Sequence, residues 1–189
     1  MARPREFDEA QALTQARDLF WRQGYEATSL ADLLQAMAIS KSSFYEAFGS
    51  KHALFLRALA QYQDERAGEM AAWLSRGPNA RAALEGLFRG LVAPSQARGC
   101  MTCNEAVELA SRDRAVETEV CAALAEAETQ LAATVERGQR EGSIGRTYDA
   151  ATLGRLLAVS LNGLHVLVRA QADRRRLDET VESILQLLN

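Results

Sequence analysis

From residue 29 to residue 51, apolar side chains recur with the period of a helix, stop, and start again. After Ser29-x-x-Asp32, a pattern that caps a helix N-terminus, Leu30, Leu33, Leu34 and Met37 follow at helical spacing and give the first segment one face to bury. Ala38-Ile39 interrupts the pattern. Ser40 is then placed to cap a second segment in which Phe44 and Phe48 point inward, while Lys41, Ser42, Ser43 and Tyr45 take the outer positions. Two short helices joined by a tight turn predict a helix-turn-helix. In that arrangement the second helix enters the major groove of DNA, where a lysine meets phosphate and hydroxyls meet phosphate or base edges. Thr28 and Ser29 stand at a helix N-terminus, which also suits a phosphate.

The same reading divides the whole chain into about nine helices. The first runs from Asp8 to Gln23, with Leu13, Ala16 and Phe20 inward and Gly24 as its stop. Ser50 caps a fourth that carries Leu54, Leu59, Tyr62 and Trp73 to about Ser75, where Gly77-Pro78-Asn79 ends it. A fifth spans Arg81 to Val92 and closes at Pro94-Ser95. Cys100 to Ser111 and Arg114 to Glu141 follow, then a loop at Gly142-Ser143-Ile144-Gly145. Asp149 to about Ala172 is the eighth helix and Asp178 to Leu188 the ninth, with Arg174-Arg175-Arg176 read as a solvated cationic run at the C-terminus of the eighth. From Leu156 to Val168 the eighth helix is apolar nearly all round and needs cover on two sides. Leu157, Leu161, Leu164 and Val168, with Val181, Ile184, Leu185 and Leu188 of the ninth, therefore predict a four-helix seam between two copies; the central rod of a monomeric bundle is the alternative.

The letters Ala16-x-x-Leu19-Phe20-x-x-x-Gly24-Tyr25-x-x-Thr28-Ser29, followed by Ile39-Ser40-Lys41-x-x-Phe44-Tyr45-x-x-Phe48-x-Ser50-Lys51, resemble the DNA-binding domain of the TetR family of bacterial transcriptional regulators. The resemblance covers about the first quarter of the chain. It implies an all-α fold, with a three-helix DNA-binding domain over residues 1–50 and a helical effector-binding and dimerisation domain over residues 51–189. It further implies a homodimer on double-stranded, palindromic operator DNA, a small-molecule effector, and a phosphate contact at Lys51. Two positions depart from the family pattern. Ala38 stands where glycine is usual in the turn, at a cost of roughly 1 kcal/mol if it turns left-handed, and Ser42 stands where glycine is common in the second helix.

Composition changes the picture only in places. A 189-residue chain that is 48% hydrophobic holds enough apolar mass for a packed core, and three prolines leave helices largely uninterrupted. The start MARPREFDEA has no apolar signal core and no apolar run is read as long enough for a membrane span, so a cytoplasmic protein without a membrane partner is expected. Net charge is −3, and residues 1–52 carry six basic against seven acidic side chains, so bulk charge does not point to DNA. Placement does: the chain's two lysines, Lys41 and Lys51, both fall in the motif. Arg3 and Arg5 form a short arm for a minor groove or phosphate, or a solvated terminus.

The second chemical feature is Arg98-Gly99-Cys100-Met101-Thr102-Cys103-Asn104-Glu105. Cys100 and Cys103 lie one turn apart near a helix N-terminus, where backbone N–H groups lower a thiol pKa; Arg98 assists and Glu105 and Glu108 oppose. A Gly-Cys pair opening this helix is similar to a branch of the family that includes electrophile and oxidant sensors. The competing reading is a small buried side chain filling the core. Tyr62, Trp73, Asn104, Asn162 and His165 are candidates to line an effector cavity. Cys100, Cys103 and Cys121 lack a fourth ligand at zinc spacing, so no metal is expected, and no cofactor either. Nothing resembles a phosphate loop, H-E-x-x-H or G-x-S-x-G, so no enzyme is expected. The rivals are a thiol oxidoreductase using Cys100 and Cys103, which would lack the strand-helix-strand context of such motifs, and a helical adaptor presenting its last two helices to another protein.

Overall fold

The structure, a computed structural model, describes residues 7–93 and 98–189. Nine helices and no strand occur among the described residues: α1 Glu9–Gln23, α2 Leu30–Met37, α3 Lys41–Phe48, α4 Lys51–Leu74, α5 Ala80–Leu91, α6 Met101–Glu108, α7 Arg114–Glu141, α8 Ala150–Arg169 and α9 Arg174–Gln186. Arg3, Arg5 and the Pro94-Ser95 break lie outside the described residues.

Most helix starts follow from local capping chemistry. Asp8 accepts from the Ala10 and Gln11 amides, Ser29 and Asp32 form a reciprocal capping box, and Ser40 and Ser50 accept from the Ser43 and Ala53 amides. Asp113 and Asp149 do the same for α7 and α8. Ala38 takes the left-handed conformation, φ 53° and ψ 38°, so the turn keeps the backbone geometry that glycine would allow and carries the Cβ cost instead.

Two cores divide the molecule. Ala16, Phe20, Leu33, Phe44, Phe48, Leu54, Phe55 and Leu59 form the first, which also takes in Met101 of α6, the Leu109 that follows that helix, and Val116 and Val120 of α7. The first half of α4 thus completes the DNA-reading end, and a division at residue 50 falls at the start of that helix. Leu84, Phe88, Leu131, Val135, Leu153, Leu157, Leu164 and Val181 belong to the second core. Here α8 runs so close to α7 that a Cβ at Gly154 would meet the Ala132 Cα at 2.7 Å.

Several sequence expectations need correction. Arg174, Arg175 and Arg176 begin α9 rather than end α8, because Arg174 and Arg175 pair with Asp178 and Glu179 one turn on, at 2.9 and 2.7 Å. The sixth helix ends at Glu108, where Leu109 caps it, instead of reaching Ser111. By length and composition α8 is long and apolar enough to cross a membrane, against the expectation of no such run; in the protein its inner side packs on α7 and α9. The predicted dimer seam is also misassigned. Leu157, Leu161, Leu164, Val168, Val181, Ile184, Leu185 and Leu188 are all at most 8% exposed and form the protomer's own core. The apolar side chains of α8 that do face outward are Leu156, Val159 and Val166, at 42, 66 and 57% exposure. A helix apolar all round has two faces, and periodicity alone did not say which one meets its own chain.

Candidate DNA-binding surface and effector cavity

At the DNA-reading end, α3 is held by Phe44 and Phe48, both buried, and turns Lys41, Ser42 and Tyr45 outward. The Ser40 hydroxyl lies 2.9 Å from both the Ser42 and Ser43 hydroxyls, so the first turn of α3 presents a preformed hydroxyl cluster, with Ser43 half-buried. Lys51 opens α4, and its ammonium sits 4.2 Å from the centre of the Tyr25 ring, which aims a flexible side chain without neutralising it. Tyr25 in turn packs on Phe55 and His52. Ser29 is exposed, with its hydroxyl donating to Asp32 at 2.6 Å. Thr28 does not join this surface: it is fully buried, and its hydroxyl donates to the Gly24 carbonyl at 2.6 Å, bracing the α1–α2 connection.

At the other end a cavity of about 480 Å³ lies among α4, α5, α7 and α8 and the start of α6. Tyr62, Met70, Trp73, Leu87, Leu91, Cys100 and Leu161 supply much of its wall, with Asn162 and His165 from α8. The Trp73 indole lies in a groove left by Gly86 and Gly90, where an added Cβ would meet the ring at 3.5 Å. The Tyr62 hydroxyl and the Gln130 carbonyl oxygen are buried with no protein hydrogen-bond partner, although Gln130 donates from its nitrogen to Glu126 at 2.9 Å. Asn104, named from sequence, is absent from the wall; its amide nitrogen is buried without a partner elsewhere on α6.

The Cys100 and Cys103 thiols act on one another. Cys100 is the N-cap of α6 and Cys103 donates to the Asn162 side-chain oxygen at 3.4 Å. Donation from the Cys103 thiol, helped by His165, holds Cys100 well below the usual thiol range against the opposing effect of burial. Cys103 is correspondingly pushed up by its bond to Cys100 and by burial, so it remains the protonated partner. Burial lowers His165 and, with the neighbouring Cys100, keeps Tyr62 protonated, so that its hydroxyl beside the sulfur also favours the Cys100 thiolate. Arg98 does not assist as expected. Its guanidinium lies over the Trp21 ring at 5.3 Å. Cys121 is exposed and lies apart on α7.

A third set of contacts joins the two ends. Glu108, at the end of α6, accepts from the Glu26 amide at 2.8 Å, and any Cβ at Gly24 would run into its carboxylate. Asp113 accepts from His52 at 2.7 Å and Arg169 reaches the Trp21 carbonyl. Glu105 is wholly buried with neither oxygen bonded, and burial, with Glu108 nearby, pushes its pKa up to about 8.

This arrangement has known counterparts. The family model for bacterial regulatory proteins of the tetR family matches residues 12–58, and a tetracyclin repressor-like C-terminal domain matches residues 78–184. The chain belongs to the TetR family. It is a DNA-binding transcriptional regulator, and regulators of this family bind double-stranded operator DNA as dimers, with effectors acting in the C-terminal domain. It is 29% identical to the uncharacterized HTH-type transcriptional regulator YezE of Bacillus subtilis (strain 168), over 100% of both chains. It is 28% identical to the HTH-type transcriptional repressor ComR of Escherichia coli (strain K12), over 98% of this chain and 90% of that one. A cysteine-substituted TetR family regulator, CifR, solved with a 26 bp double-strand operator DNA, matches with a TM-score of 0.88 and 34% identity over 100% of both chains.

For a TetR regulator the parts missed from sequence are those that reach across the fold. The partners of Glu108, Asp113, Arg169 and Tyr25 carry no local signature, since they lie up to 148 residues away in the chain. Thr102, Gln130 and Leu161 in the cavity wall were likewise invisible, because a wall built by five helices has no spacing of its own.

Proposed function

We propose that the protein is a cytoplasmic repressor that leaves a palindromic operator when an effector acts in the cavity at Cys100, and that it turns over no substrate. The observation that carries this reading is the double attachment of α6. Its first residues, with Cys100, border the cavity, and its last, Glu108, holds the connection between α1 and α2. A shift of α6 by one bound or covalently attached molecule changes the spacing of the DNA-reading ends, and a coupling of about 1–3 kcal/mol is enough for regulation. Lys41, Ser42, Ser43, Tyr45 and Lys51 are the DNA contacts, with Ser29 beside them. A second copy packs on the Leu156, Val159 and Val166 stripe of α8.

The effector is read as a thiol-reactive electrophile because Cys100, half-buried on the cavity wall, is the low-pKa member of a pair with Cys103. With N-ethylmaleimide as the probe, the Cys100 thiolate forms an S–C bond to one alkene carbon, the π pair moves to the other, and that carbon takes a proton from water. The test starts with duplex DNA selected from a random pool by the purified protein, followed by anisotropy of the labelled duplex. The probe should release DNA from wild type and from Cys121→Ser but not from Cys100→Ser. Retention of DNA by protein whose Cys100 is shown by mass spectrometry to be modified defeats this reading. A Cys100 that resists labelling points to a non-covalent ligand, which Tyr62 and Gln130 would bond.

A further inference from the structure

The charge around the cavity is as uneven as its interior is neutral. Asp64 and Glu69 of α4 and Glu119 and Glu126 of α7 all line it and are all exposed, whereas Arg66 is the one lysine or arginine in the wall and is itself paired with Glu69. Deeper in, Tyr62 is 2% exposed, its hydroxyl beside the Cys100 thiol and otherwise unbonded, Gln130 offers a carbonyl oxygen with no donor, and Cys100 shares the same wall. Arg76 lies near this wall, over the Trp73 ring at 4.9 Å, outside the lining.

We infer that this acidic margin selects the effector by charge, admitting uncharged or cationic electrophiles to Cys100 and excluding carboxylates, sulfonates and phosphates. The inference rests on the reading of Cys100 as the reactive group and adds the class of molecule that reaches it. Four exposed carboxylates on α4 and α7 line the cavity against a single arginine, and this excess puts a negative potential on the approach to it. An anion loses interaction energy on that path and a cation gains it, while screening at physiological salt limits each pair to a distance of about 8 Å. The interior then favours a neutral group that accepts from the Tyr62 hydroxyl or donates to Gln130, since each of those atoms gives up a water-like partner on folding.

Two reagents of one chemistry and opposite charge test this: 2-(trimethylammonium)ethyl and 2-sulfonatoethyl methanethiosulfonate. Each places its thioalkyl group on the Cys100 sulfur as a new S–S bond, and methanesulfinate leaves with the electron pair. Rates on the folded Cys121→Ser protein, read by peptide mass spectrometry at Cys100 and divided by rates on the unfolded chain, should favour the cation by roughly tenfold. The ratio should fall towards one in 1 M salt and in the combined D64N, E69Q, E119Q and E126Q variant. The salt series keeps the test intact if that variant misfolds. Equal normalised rates for the two reagents in wild type, or a preference that survives both salt and neutralisation, overturn the inference, as does a Cys100 that neither reagent reaches. If the charge order holds but modified protein still keeps its selected DNA, the selective entrance stands and the effector reading falls.

Discussion

The DNA-reading end and the effector end are built on opposite terms. In the first, the capping partner of each helix lies two or three residues away in sequence, and the core is filled by rings such as Phe20, Phe55 and Phe44 in edge-on or tilted contact. In the second, walls from five helices enclose a cavity with the Tyr62 and Gln130 oxygens at its edge, and the Glu105 carboxylate and the Asn104 amide nitrogen on α6 are buried beside it without a hydrogen-bond partner; at the reading end Trp21 Nε1 and Gln61 Oε1 are likewise unbonded, but neither borders that cavity. An unpartnered buried polar group costs about 1–3 kcal/mol. The difference is access: at the effector end the Tyr62 and Gln130 oxygens border a cavity, where a ligand or a covalent adduct can reach them.

The two faces of α8 give the largest expected effects. Leu157 is wholly buried, so Leu157→Glu should cost on the order of 4 kcal/mol or more and unfold the effector end. Val159 is 66% exposed in the protomer, so Val159→Glu should leave a folded chain whose helix content is unchanged. Its dimer should dissociate in sedimentation, and operator affinity should fall by about 100-fold or more as the two reading heads lose their linkage. A V159E protein that remains dimeric would move the interface off this stripe.

The pH dependence of stability separates the two ends next. Glu105 ionises at about 8 in the folded protein, above the ordinary carboxyl value of 4.5. Its folded form therefore holds a proton that the unfolded chain has released, and stability declines as pH rises from about 4.5 to about 8, with the full contribution present below that window. Glu105→Gln cannot ionise and should flatten the decline, amounting to about 3 kcal/mol by pH 7 in urea unfolding. An unchanged slope between pH 5 and pH 8 would mean that Glu105 is charged and partnered in solution.

At the reader, Lys41→Ala and Lys51→Ala should each weaken binding to all duplexes about tenfold and reduce the salt slope by about one unit, since each removes one phosphate contact. Tyr25→Leu should mimic part of the Lys51 loss by releasing its ammonium from the ring. Salt slopes that stay at the wild-type value in both lysine variants would remove them from the interface.

This contrast also explains what could be read in advance. The helix-turn-helix was legible because Ser29, Asp32, Ser40, Phe44 and Phe48 act on neighbours within four residues, and even the left-handed Ala38 announced itself by position. Thr28 was misread because a buried hydroxyl and an exposed one have the same letter; only the packing of α1 against α2 directs it to Gly24. The α8 stripe was misread because an apolar helix surface does not say whether its cover comes from its own chain or another copy. Glu108 and Glu105 were read as charges opposing a thiolate. The fold gave one a backbone amide 82 residues away and left the other without a partner.

The smallest expected effect concerns the thiol pair itself and tests whether the effector end tunes chemistry as well as shape. Cys103 has two acceptors within reach, the Cys100 sulfur and the Asn162 oxygen at 3.4 Å, and its own pKa is raised, so it stays a donor across the range in which Cys100 ionises. Removing that donor should raise the Cys100 pKa towards the ordinary thiol value. In Cys103→Ala the pH midpoint of iodoacetamide labelling at Cys100 should move up, and labelling at pH 7 should slow by a few-fold, while the rate at high pH, where all of the thiol is ionised, should match wild type. Asn162→Leu tests the competing acceptor: without it the Cys103 proton is committed to Cys100, and the midpoint should move down. Midpoints that coincide in all three proteins would assign the lowered pKa to the α6 N-terminus and His165 instead, and would leave Cys103 as a packing residue between α6 and α8.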